Sequence, residues 1–120
     1  MNNDFTQNLP IVQRIYGFYK TFHSYLGKFP KSEKYTLGQT IESNTLKMLE
    51  EILLVGNSSI DPSLKKDKLI LASSKLDLIK LLIRLSYDIK AIDQKGYIAL
   101  EEMLQEIGKM LGGWIRSIKV

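Results

Sequence analysis

Apolar residues recur at alternating three- and four-residue steps in four stretches of this 120-residue chain, and no β-branched alternating run competes with them. In the first stretch Val12, Ile15, Tyr19, Phe22 and Leu26 form one stripe, which predicts a helix over residues 10–28. Pro10 marks its start, where a fixed φ and a missing N–H do no harm. Ile11, Phe18 and Tyr25 follow one another at seven-residue steps on a flanking face. That second line is wider than one bundle core requires, and it predicts packing against another subunit.

The second helix is expected to begin between Ser32 and Thr36 and to cover residues 34–55. It turns Leu37, Ile41, Met48, Ile52 and Val55 inward, Thr45 fills the remaining seam position, and Gly56-Asn57 provides a stop. Asp61 before Pro62 is an N-cap followed by a first-position proline, opening a third helix over 62–90. Its apolar residues fall on two faces, Leu71, Leu78, Leu82, Leu85 and Ile89 on one and Ala72, Leu76, Ile79 and Ile83 on the other. An arc that wide predicts packing on more than one side. Asp93-Gln94-Lys95-Gly96 reads as a turn, and Leu100, Met103, Leu104, Ile107, Leu111, Trp114 and Ile118 predict a fourth helix over 97–118. Short links between four long helices make residues 1–120 a single all-α domain, an antiparallel up-down-up-down four-helix bundle.

The last helix carries Gly108, Gly112 and Gly113 beside the only tryptophan, Trp114. Each helical glycine costs roughly 1 kcal/mol against alanine. Three of them so close together predict that another backbone or a bulky neighbour approaches there.

Composition removes most chemistry. The chain has no cysteine and a single histidine, His23, so thiolate metal sites, disulfides, di-iron Glu-x-x-His pairs and zinc-protease pairs all lack ligands. His23 lies just beyond the core stripe and is expected to be a partly buried or interface residue. Glu102 and Glu106 share a helix face next to Glu101, but with no partner base they read as a solvated surface. No catalytic residue, cofactor site or small-molecule substrate is expected. The start Met1-Asn2-Asn3-Asp4-Phe5 has neither a basic nor an apolar stretch, which fits a cytoplasmic protein. Apolar runs do not exceed four residues, as in Ile52 to Val55, against about 20 for a membrane span.

Net charge is +4, and the excess sits in residues 61–92, which hold seven basic and four acidic side chains. Lys65, Lys66, Lys68, Lys75, Lys80, Arg84 and Lys90 are the candidate contacts to nucleic-acid phosphates, with Lys80 and Arg84 one turn apart on a shared face. Lys28, Lys31 and Lys34 around the first loop extend the set. Asp67, Asp77 and Asp88 on the same helix oppose it. Among the aromatic residues Tyr16, Phe18, Tyr19, Phe22 and Tyr25, helical spacing favours packing, and base stacking is left to Tyr16 and Tyr35.

The segment Phe29-Pro30-Lys31-Ser32-Glu33-Lys34-Tyr35-Thr36-Leu37-Gly38-Gln39-Thr40-Ile41 resembles a signature of the bacterial four-helix-bundle proteins encoded in intervening sequences of 23S ribosomal RNA genes. Within that superfamily, Ile107-Gly108-Lys109-Met110-Leu111-Gly112-Gly113-Trp114-Ile115 is similar to the terminal helix of the accessory variability determinant (Avd) proteins of diversity-generating retroelements. The resemblance implies a ring-shaped homo-oligomer, a pentamer. It also implies a non-catalytic role in which template RNA or other nucleic acid and a reverse transcriptase are bound through basic surfaces to support mutagenic retrohoming. The alternative is a scaffold oligomer of the broader intervening-sequence family with no nucleic-acid role.

Overall fold

The structure is a computed structural model that describes residues 9–56 and 59–120. Among these residues there are four long helices and no strand: α1 (Pro10–Leu26), α2 (Gln39–Gly56), α3 (Pro62–Asp88) and α4 (Gln94–Ser117). They pack as a compact body of 44 × 32 × 22 Å in which α1 touches α2 and α4, α2 touches α3, and α3 touches α4. Contacts between α1 and α4 run in opposite order along the two helices. Tyr25 of α1 meets Gly96 at the start of α4, Gly17 meets Met103, and Arg14 pairs with Glu106.

Three helix starts and the end of α3 have a chemical cause. Pro10 opens α1 as its first residue. The Asp61 carboxylate accepts hydrogen bonds from the Ser63 and Leu64 N–H groups at 3.0 and 3.4 Å, which satisfies two free amides at the start of α3. The segment read as a turn before the fourth helix is the cap and first turn of α4. Asp93 is the N-cap and accepts from the Gly96 N–H at 2.8 Å. At the other end of α3, Lys90 adopts φ 67° while the Ala91 N–H donates back to the Ser86 carbonyl at 2.8 Å. This left-handed residue ends the helix two positions short of the predicted boundary and turns Ala91 and Ile92 into the core.

The approach to the second helix is helical from Lys31, one residue before the expected start, but regular α2 begins later than expected. One helical turn at Lys31–Glu33 runs into a π-helical turn at Lys34–Gly38 before regular α2 starts at Gln39. Gly38 is buried there against the Leu26 side chain, in space that a Cβ would fill. Leu37, expected inward, is half-buried beside this wide turn. Of the Gly56-Asn57 stop, Gly56 is the last residue of α2, and Asn57 lies outside the described residues, as does the Met1–Phe5 segment.

The core draws on every helix: Ile15, Phe18 and Phe22 from α1, Ile41, Met48 and Ile52 from α2, Leu69, Ile79 and Ile83 from α3, and Leu100, Leu104 and Ile107 from α4. Phe29 closes it from the first loop, edge-on to Phe22 with ring centroids 5.7 Å apart. Two buried hydroxyls, Thr45 and Ser86, each donate to the carbonyl four residues back at 2.8 Å, which leaves neither unpaired.

The flanking line on the first helix lies inside the bundle. Ile11 and Phe18 are buried and offer no surface to a second subunit, and Tyr25 is half-buried against Gly96 at the start of α4. The physical reason is that α1 packs against two helices, α2 and α4, and a helix with two neighbours needs a broad apolar arc.

Candidate nucleic-acid interface

A regular helix turns about 100° per residue, and that rotation divides the cations of α3 into two lines. Lys68 and Lys75 lie toward α2, where Lys75 Nζ bonds Glu51 Oε2 at 2.8 Å with both side chains mostly buried. Lys66, Lys80 and Arg84 lie toward α4, where the Lys80 ammonium reaches Gly108. Lys65, Lys66, Lys68, Lys75 and Lys80 are all half-buried, and Arg84 is exposed. From Lys65 to Arg84 is roughly 28 Å along the axis at about 1.5 Å per residue.

These cations are partly neutralised in place. Arg84 Nε bonds Asp88 Oδ1 at 3.0 Å, and its guanidinium lies 5.9 and 5.8 Å from the ring centres of Tyr87 and Tyr97. Those two rings stack on each other at 4.7 Å. Hydrogen bonding to Tyr97 and then to Asp88 raises the Arg84 pKa above its ordinary value. Lys80 and Arg84 therefore share a face, as expected, but it is a face that also holds Glu101. Burial raises the Glu101 pKa above the ordinary carboxylate value, against the opposing pull of Lys80 and Arg84.

What separates the two cationic lines is leucine. Leu64, Leu71, Leu78 and Leu85 recur at seven-residue intervals along the outer side of α3, all at least 39% exposed, and Leu81 beside them is 64% exposed. Ile70 and Ile89 extend the surface. Of the face read from the sequence as Leu71, Leu78, Leu82, Leu85 and Ile89, Leu82 is half-buried against the core and the other four are exposed, while Ala72, Leu76, Ile79 and Ile83 are inside the core.

The loop cations gather at one end of the bundle. Lys28 and Lys31 are exposed, Lys34 is half-buried, and Lys28 Nζ sits 6.0 Å from the centre of the Tyr25 ring. Lys28 and Lys90 line a cleft of about 530 Å³ together with Tyr25, Tyr87 and Asp93. Sequence periodicity gives no hint of this grouping, because it joins the ends of three helices. The positive φ of Lys90 is equally invisible, since glycine or asparagine normally signals it.

The glycine-rich end differs from its expectation. A Cβ at Gly112 would meet only the Arg116 guanidinium, at 3.3 Å, and one at Gly113 only the same group, at 4.0 Å. Neither touches another backbone within the chain. Gly108 lies against Leu76 and Lys80 at ordinary contact distance, and Trp114 is half-buried on the core. The glycines that do make room within the chain are Gly38 under Leu26 and Gly96 under Tyr25.

Other candidates fall on the surface. His23 is exposed rather than partly buried; its Nδ1 lies 2.8 Å from Glu42 Oε2 and its ring stacks on Tyr19. Burial, followed by the Glu42 charge, raises the Tyr19 pKa. Glu106 faces Arg14 at 3.8 Å, and Glu102 is exposed. Tyr16 is exposed with the Lys20 ammonium 5.5 Å from its ring centre, and Tyr35 is exposed as well. Among the described residues no group of three acidic or histidine side chains could hold a metal ion, and no helix is long and apolar enough to cross a membrane.

The class these features define is an all-helical bundle whose distinctive chemistry, cationic rims around an apolar ridge, lies on its surface. The chain belongs to the bAvd-like family, whose sequence profile matches residues 9–118. That is a family of accessory proteins rather than an enzyme class, and membership points to an accessory protein of a diversity-generating retroelement. Comparison with curated proteins gave no match.

Proposed function

We propose that this protein is a non-catalytic retroelement accessory subunit. It is an up-down-up-down bundle that joins copies of itself through the outer ridge of α3 into a ring, a pentamer by the family resemblance. The assembly holds template RNA and a reverse transcriptase on its basic surfaces. The single observation that carries this reading is the heptad of exposed leucines, Leu64, Leu71, Leu78 and Leu85. Burying a leucine completely stabilises by about 1.5–3 kcal/mol, so four of them already half-exposed supply several kcal/mol to an interface. A lone monomer gains nothing from keeping them in water.

Ring assembly also changes what the dispersed cations can do. Lys68 and Lys75 flank one side of the ridge and Lys80 and Arg84 the other, so each new copy repeats both lines around the ring. Attraction for phosphates sums over copies, whereas one monomer, with Asp67, Asp77 and Asp88 on the same helix, presents little.

The test has two measurements on the same preparations. Light scattering gives the native mass of the wild type and of Leu71→Glu/Leu78→Glu, while circular dichroism reports helix content. The wild type is expected to be a closed oligomer and the double variant a folded monomer. A wild-type monomer defeats the assembly reading. RNA anisotropy across salt then tests the ligand: binding at about 50 mM salt that weakens steeply by about 200 mM supports phosphate contact, and no binding at about 50 mM removes the RNA half.

A further inference from the structure

The cleft at one end of the bundle carries a feature that folding alone does not explain. Lys90 is the sole residue other than glycine with positive φ among those described. It stands just past the end of α3, where a glycine would adopt the same conformation without strain. The chain keeps a lysine there, and that lysine lines the 530 Å³ cleft. Backbone strain retained where a smaller residue would relieve it is a mark of a side chain held for use.

The surroundings say what it is held for. Lys28 supplies a second ammonium group, 6.0 Å from the centre of the Tyr25 ring, and Tyr25 and Tyr87 supply aromatic surface to the same cleft. Ala91, Ile92, the N-cap Asp93 and Gln94, the first residue of α4, complete the lining. The Asp93 carboxylate is engaged with the Gly96 N–H at 2.8 Å as a helix cap, so its charge is partly satisfied. A helix start of this kind adds positive potential. Two ammonium groups, two aromatic side chains and a volume within the usual range of about 300–1,000 Å³ for small-ligand sites match a ring that carries a phosphate.

We propose that this cleft binds one unstacked nucleotide, with its base against Tyr25 or Tyr87 and its phosphate between the Lys28 and Lys90 ammonium groups. The nucleotide is either one residue of a single strand or a free nucleotide; the first source rests on the nucleic-acid reading above, the second does not. Duplex nucleic acid is excluded by the same chemistry, because a paired base has no free face to offer.

The experiment uses the full chain and three probes: a single-stranded RNA with one 2-aminopurine, the same RNA annealed to its complement, and adenosine monophosphate. Fluorescence quenching reports stacking, and anisotropy reports overall binding. Lys90→Gly removes the charge and relieves the backbone, so loss of binding in that variant cannot be ascribed to misfolding. Lys28→Gln tests the second cation, Tyr25→Leu the stacking surface, and Lys119→Gln, past the far end of α4, serves as control. The wild type should quench the single strand and leave the duplex unchanged. Lys90→Gly and Lys28→Gln should each weaken binding and lower the salt slope by about one. Tyr25→Leu should cost about ten-fold or more if that ring carries the base.

Adenosine monophosphate that binds and displaces the strand identifies the cleft with a free nucleotide as well. Monophosphate binding without RNA binding keeps the cleft and removes the RNA-holding role. RNA binding that none of the cleft variants changes overturns the cleft and leaves that role standing on another surface. Absence of binding by all three probes overturns both.

Discussion

Gly96 lies directly beneath the ring of Tyr25, so close that a Cβ there would stand 2.6 Å from Tyr25 Cε1 and 3.0 Å from Cζ. The first turn of α4 thereby seats against the last turn of α1, and the same turn carries the cap from Asp93. Gly96→Ala gains up to about 1 kcal/mol of helix propensity, but the added methyl must displace a half-buried ring, and overpacking of this kind typically costs about 1–3 kcal/mol. A net loss of about 1–2 kcal/mol in urea unfolding is expected. Unchanged or increased stability would mean that Tyr25 swings away freely and that the contact is not a constraint.

The glycines at the other end of α4 predict the opposite sign. Gly112 faces only the tip of Arg116, at 3.3 Å, a flexible group that can move into solvent. Gly112→Ala should therefore stabilise the folded chain by about 0.5–1 kcal/mol through reduced backbone freedom in the unfolded state. Thermal unfolding read beside native mass separates two cases. A higher melting temperature with intact assembly places these glycines on open surface, and loss of assembly in a well-folded variant places a neighbouring copy over them.

These two ends of one helix illustrate what the chain's pattern could and could not reveal. Asp61-Pro62 was legible because capping is local chemistry, written in adjacent residues. The alternation of three- and four-residue steps located all four helices for the same reason. Which glycine meets a neighbour is a tertiary fact, and Gly38, Gly96 and Gly112 look alike until Leu26, Tyr25 and Arg116 are placed. The line Ile11, Phe18 and Tyr25 suffered likewise. Its spacing fixes a second face, but only the contacts with both α2 and α4 show that the face points inward. The candidate cations of α3 do not share one surface, since rotation about the helix sets Lys75 against Glu51 and Arg84 against Asp88.

The Lys75–Glu51 pair links α2 to α3 at 2.8 Å with side chains only 24% and 21% exposed, and Glu51 Oε1 is buried without a partner. A pair this sheltered is worth more intact than halved. Lys75→Met alone should cost about 2–3 kcal/mol, more than the 0–1 kcal/mol of an exposed pair, because it strands a shielded carboxylate. Adding Glu51→Leu should recover most of that loss. A double-mutant cycle in urea gives the coupling directly; near-additive losses would show that water already screens the pair.

Glu101 offers a stability change that runs against ordinary acid denaturation. Burial raises its pKa above the ordinary 4.5, although Lys80 and Arg84 pull the other way. A carboxyl whose pKa is higher folded than unfolded binds its proton more readily in the folded state, so its ionised form costs stability at neutral pH. That cost is relieved as pH falls through the raised value toward 4.5. Glu101→Gln removes the titration, so the wild type should gain stability relative to the variant as pH falls from 7 to 4.5, measured by urea unfolding at each pH. A relative loss over the same window would show that attraction to Lys80 and Arg84 outweighs burial. The flank of α3 would then be an ion-paired seam in which neither cation is free for phosphate.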